Sequence, residues 1–99
     1  MQVEFKTDEL ARWFREPKTA RKALGEQIAK AYRRQIELIQ VTPTTAELSR
    51  IPQLHFKAMA KGTPLAGKYS VRLSGFMRLV LSIQGQTVVV EEVSKHYEG

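Results

Sequence analysis

The sequence predicts an α+β fold: an N-terminal strand and a helical hairpin packed on one face of a mainly antiparallel sheet that ends in a three-strand meander. Three observations point there. Apolar residues in the first half recur at helical spacing, whereas from Lys68 onward they recur at every second position. The turns between the last apolar runs are too short for anything but antiparallel neighbours. A length of 99 residues fits one domain spanning 1–99.

Taken in order, Gln2–Lys6 reads as a short strand with Val3 and Phe5 on one face. Thr7 is placed to cap the helix that follows, and Asp8 and Glu9 complement its positive end. Leu10, Trp13 and Phe14 make one apolar stripe, and Pro17 ends that helix. A longer helix is expected from about Thr19 to Gln40, with Leu24, Ile28, Ala31, Tyr32, Ile36 and Ile39 facing the core. Gly25 lies inside it, at a cost of about 1 kcal/mol relative to Ala. Residues 41–67 hold Pro43, Pro52, Pro64, Gly62 and Gly67 and read as irregular, with one helical turn at Thr45–Arg50 and with Leu48, Ile51 and Leu54 tucked beneath the helices.

The meander is expected at Lys68–Leu73, Met77–Gln84 and Thr87–Val93. In the first two strands the odd positions are apolar, so odd must pair with odd if one face is core. That requires an odd-length loop, which Ser74-Gly75-Phe76 supplies, with Gly75 near the left-handed position. Arg72 then stands directly opposite Arg78 on the other face, together with Lys68. Like charges opposed across a ladder repel, and a shared anion explains the pairing better than stability does. The last strand stays ambiguous, because either register sets Glu91 or Glu92 beside apolar neighbours, and one of them brings Glu92 opposite Arg78.

Charge is unevenly placed. Sixteen basic residues against ten acidic ones give a net charge of +6, yet the 43 residues from 48 to 90 hold Arg50, Lys57, Lys61, Lys68, Arg72 and Arg78 and no acid at all. Such a field attracts polyanions, nucleic acid above all; the plainer alternative is a solubilising surface. The absence of cysteine excludes a disulfide scaffold, thiolate metal sites and thiol catalysis. The two histidines and scattered carboxylates have no metal-ligand spacing, and no glycine-rich phosphate loop occurs. No apolar run approaches the ~18–20 residues that cross a bilayer, and Met1–Lys6 has no signal-peptide core, so a cytoplasmic protein without membrane association is expected.

The strand–helix–helix–meander order, the run Tyr69-Ser70-Val71-Arg72-Leu73-Ser74-Gly75-Phe76-Met77-Arg78-Leu79-Val80, the strand Val88-Val89-Val90 and the tail Ser94-Lys95-His96-Tyr97 resemble the RelE/ParE toxin superfamily. The resemblance is nearest to messenger-RNA interferases of the RelE and HigB type. It implies the toxin of a toxin–antitoxin system, held inactive by a cognate antitoxin protein and directed at messenger RNA, on the ribosome and its rRNA. It further implies a metal-independent endoribonuclease that needs no cofactor. In this chemistry the ribose 2′-hydroxyl attacks the adjacent phosphate, which calls for a base, an acid and cations around the pentavalent phosphorus.

Arg78 matches the arginine that follows the Ser-Gly turn in the family motif, and its fork suits two phosphate oxygens. Its plainer alternative is a surface arginine paired with Glu92. His96 and Tyr97 stand where the family keeps acid–base residues; the alternative is a frayed tail. His55 follows Leu54 as the loop histidine of HigB-type members follows a leucine, although Phe56-Lys57 comes next here, and an incidental loop histidine is the alternative. Lys57, Lys61, Lys68 and Arg72 are the expected RNA and phosphate contacts. Lys95 replaces an acid found in some HigB-type tails, and His96-Tyr97 reverses their order. Two other functions fit the same composition: a ParE-like toxin that inhibits DNA gyrase without cleaving RNA, and a nucleic-acid-binding module without catalysis.

Overall fold

The structure, a computed structural model, describes residues 1–59 and 67–95. Its elements are β1 (Gln2–Phe5), α1 (Asp8–Arg15), α2 (Pro17–Leu24), α3 (Glu26–Val41), α4 (Thr45–Leu48), a 3₁₀ turn at Pro52–Leu54, β2 (Lys57–Ala58), β3 (Tyr69–Arg72), β4 (Met77–Gln84) and β5 (Thr87–Lys95). The strands form one sheet in the order β1-β5-β4-β3-β2. β1 runs parallel to β5, with Gln2 beside Thr87, and every other neighbouring pair is antiparallel. The α+β architecture is thus the expected one, with β2 as an added edge strand. No described helix is long and apolar enough to cross a membrane.

Thr7 caps α1 through its hydroxyl, which accepts from the Leu10 N–H at 3.2 Å. The helical part departs from expectation at two breakers. Pro17 opens α2 instead of merely ending α1, because the first helical position has no N–H bond to lose. Gly25 splits the expected long helix: at φ 85° its N–H donates to the Arg21 carbonyl while its own carbonyl accepts from Ala29. One residue therefore closes α2 and opens α3, in a backbone conformation that glycine adopts without strain.

The core lies between the helices and one sheet face. Tyr32, Ile36 and Ile39 of α3 meet Val71, Leu79, Leu81, Val88 and Val90, all fully buried, while Leu48 and Leu54 close the side. Burying each such aliphatic side chain is worth roughly 1.5–3 kcal/mol. Tyr32 keeps its hydroxyl satisfied by donating to the Leu10 carbonyl at 2.7 Å, and burial pushes its phenol well above the ordinary value. Trp13 meets Tyr32 edge-on, and Phe5 meets Phe14, which ties α1 to β1 and α3.

The first hairpin has the register that the alternation demands, Val71 beside Leu79 and Arg72 beside Arg78. Its bend is built differently from expectation. Gly75 does not adopt a positive φ; instead the Ser74 hydroxyl accepts from the N–H groups of both Phe76 and Met77 at 3.2 Å.

In the last hairpin neither continuous register is used. Val80 pairs with Glu92 but Leu81 pairs with Val90, so Glu91 is the extra residue of a β-bulge. The bulge shifts the alternation by one, keeping Val88, Val90 and Val93 against the core while Glu92 is exposed. Arg78 consequently stands beside Ser94, not Glu92.

Candidate nucleic-acid interface

The face of the sheet turned from the helices carries Ser70 and Arg72 of β3, Arg78, Val80 and Ser82 of β4, and Glu92 and Ser94 of β5. It is less open than the sequence suggests: Ser70 and Val80 at its centre are buried, Arg78 is half-buried and Arg72 is exposed.

Two elements fix the arginine pair. The Ser74 bend sets the register from one end. From below, the buried amide of Gln35 donates to the carbonyls of Gln53 and Arg72 at 2.8 and 2.9 Å, which locks the end of β3 to the 3₁₀ turn and α3. Opposed residues on adjacent antiparallel strands hold their Cβ atoms about 4.5–5.5 Å apart, so two positive charges start from neighbouring positions. Nε and Nη1 of Arg78 are shut off from solvent and meet no hydrogen-bond partner among the described residues. A buried charged donor left unpaired is costly, more so than the neutral Gln35 Oε1, which also meets no partner among the described residues, so the guanidinium calls for a ligand, an ion or a water.

Lys57 on β2 stands beside Ser70, so it shares this face at the sheet edge. His55 ends the 3₁₀ turn in a left-handed conformation, φ 46°, and is exposed. The Gln35 bridge from Gln53 to Arg72 brings it to the same end of the sheet as the arginines. Lys61, His96 and Tyr97 lie outside the described residues.

Lys68 lies on the expected face, but its charge is already engaged. Its ammonium donates to Glu91 at 3.0 Å, and the same carboxylate accepts from the Ser82 hydroxyl at 3.0 Å and approaches Lys6 at 3.4 Å. Burial works to raise the Glu91 pKa, but the hydrogen bonds from Lys68, Ser82 and Lys6, with the charge of Lys68, outweigh it and hold the carboxyl below its ordinary value. Lys68 is therefore already neutralised, and the acid-free sequence segment acquires an acid in space. The bulge that turns Glu91 onto this face is the feature sequence reasoning missed; its one trace is the adjacent pair Glu91-Glu92 ending an apolar run.

Arg72, Arg78 and Lys57 together form a cationic strip that can hold successive phosphates, with Glu91 and its two lysines closing one end.

No family model matches the chain, and no curated protein matches it in sequence. Solved structures match in shape. A YoeB/ParE toxin from Agrobacterium tumefaciens superposes with a TM-score of 0.65 at 15% identity, covering 98% of this chain and 100% of the other. A YoeB-YefM complex from Staphylococcus aureus gives 0.64 at 13% identity, covering 98% of each chain. A point mutant of YafQ from E. coli gives 0.61 at 10% identity, covering 96% of this chain and 92% of the other. At such low identity the likeness is one of architecture, and over nearly its whole length the chain has the RelE/ParE-type fold seen in the YoeB and YafQ structures.

Proposed function

We propose that the chain is the toxin of a toxin–antitoxin pair and acts as a metal-independent endoribonuclease on messenger RNA at the ribosome, in the manner of RelE and HigB toxins. The observation that carries this reading is Arg78, whose shielded Nε and Nη1 have no partner among the described residues while Arg72 stands beside it. The fold shared with a YoeB/ParE toxin supports it, and a YoeB-YefM toxin-antitoxin complex of the same fold supports a cognate antitoxin as partner.

In the proposed reaction the 2′-oxygen attacks the neighbouring phosphorus, the P–O5′ bond breaks, and a 2′,3′-cyclic phosphate and a 5′-hydroxyl result. Arg78 and Arg72 stabilise the charge gathering on the phosphoryl oxygens. His96, Tyr97 and His55 are the candidates for moving the proton from the 2′-hydroxyl to the leaving oxygen. Lys57 and Lys61 hold flanking phosphates; Lys68 contributes only after leaving Glu91.

The test is induced expression of the protein and of Arg78→Ala, with transcript integrity, translation and plasmid supercoiling followed together. The wild type should cut transcripts, and R78A should cut them about 10²–10³-fold more slowly. Because the substitution removes unpaired buried donors, R78A should melt at the same temperature as the wild type or higher. Intact transcripts with continued translation overturn the reading; intact transcripts with altered supercoiling replace it with gyrase inhibition.

A further inference from the structure

We propose that Phe76 is a stacking platform for an unpaired nucleobase, so that the site grips single-stranded polynucleotide by a base as well as by its phosphates. The inference rests on the Arg72–Arg78 face being a phosphate site and adds a second recognition element to it.

Phe76 is 77% exposed and belongs to no core cluster. The other described phenylalanines and the tryptophan are all in ring pairs: Phe5 with Phe14, Trp13 with Tyr32, and Phe56 stacked on Tyr69 at 5.0 Å. Phe76 has no ring partner among the described residues. Nor does the bend need it, since Ser74 makes the turn by accepting from the N–H groups of Phe76 and Met77, and Leu73 donates to the Met77 carbonyl at 2.9 Å. Polar side chains are the usual occupants of such a turn.

The same hydrogen bonds preorganise the ring. They fix its backbone between the strands that bear Arg72 and Arg78, within about 7 Å of the Arg78 backbone. A flat aromatic surface held beside guanidinium groups is the combination that binds single strands: cations follow the backbone and the ring accepts any base by its π face. A protein partner would meet Phe76 as a plain apolar anchor, but the adjoining Arg72 and Arg78 favour a polyanion.

The test uses the full chain and a fluorescein-labelled 2′-O-methyl oligoribonucleotide, which lacks the attacking hydroxyl and cannot be cut. Binding is measured for the wild type, R78A, F76A, F76L and F76W. Phe76→Ala should weaken binding about 5- to 150-fold, Phe76→Trp should restore it and Phe76→Leu should not. The indole of F76W should be quenched by the single strand and not by the duplex. Thermal melting should be the same in all Phe76 variants, because the side chain is exposed. If the wild type and R78A bind equally, or neither binds, the phosphate-site reading fails. If R78A is impaired while F76A binds like the wild type, that reading stands and stacking is refuted. Equal binding by F76L and F76W also refutes stacking, leaving only an apolar contact.

Discussion

Arg78 and Glu91 are both charged and both withdrawn from solvent, yet one is satisfied and the other is not. Glu91 collects two ammonium groups and a hydroxyl, whereas two guanidinium nitrogens of Arg78 have no partner among the described residues. The first arrangement serves stability, and the second leaves donors free for the phosphate that the proposed function assigns to them. Because its hydrogen bonds outweigh burial, Glu91 has a folded-state pKa below its ordinary value of 4.5 in the unfolded chain. Its contribution is therefore complete above about pH 5 and is lost as the pH falls through the lower, folded-state value. Glu91→Gln should cost about 1–2 kcal/mol at neutral pH, and the difference from wild type in urea melts should close as the pH falls below the ordinary glutamate range. A gap that stays constant with pH would show that the charge is not what holds the cluster. The side-by-side arginines were legible in the sequence because two alternating strands allow only one parity. The engagement of Lys68 was not, since its partner is 23 positions away and arrives only by way of a bulge.

Among the elements, those specified by period were readable and those specified by a single backbone angle were not. Apolar spacing runs through Leu24, Ile28 and Tyr32 without a gap, so nothing in the pattern marks α2 and α3 as separate helices. The break lies in Gly25 alone. Gly25→Ala meets no steric obstacle, since nothing stands within 4 Å of the added carbon, but φ 85° strains any other residue. The substitution should destabilise the fold by about 1–2 kcal/mol, read as a lower urea midpoint with unchanged slope. If it stabilised the chain instead, the helix would be running through. β2 is illegible for another reason: two residues are too few to establish an alternation. The bend at Ser74 had the expected length but not the expected device, a hydroxyl standing in for a left-handed glycine.

For the whole molecule, the partition of charge along the chain is not its partition in space. Residues 48–90 hold no acid, yet Glu91 enters the same sheet face and neutralises the end nearest Lys68. The cationic strip is accordingly shorter than the sequence implies, formed among the described residues by Arg72, Arg78 and Lys57. If each of these three neutralises one phosphate of a single strand, together they contribute about −2 to the log–log salt slope of oligonucleotide affinity, and Lys61 would add about −0.7. Arg72→Ala should reduce its steepness by about 0.7 and Lys68→Ala should leave it unchanged; titrations across a salt series check both. The pairing of β1 with β5 reaches further, into the birth of the protein. Gln2 waits for Thr87 before it has a neighbour, and such distant closures are slow and must follow the synthesis of both partners. The strands bearing Arg72 and Arg78 also emerge late, so the paired guanidinium groups cannot be brought together until most of the chain has been made.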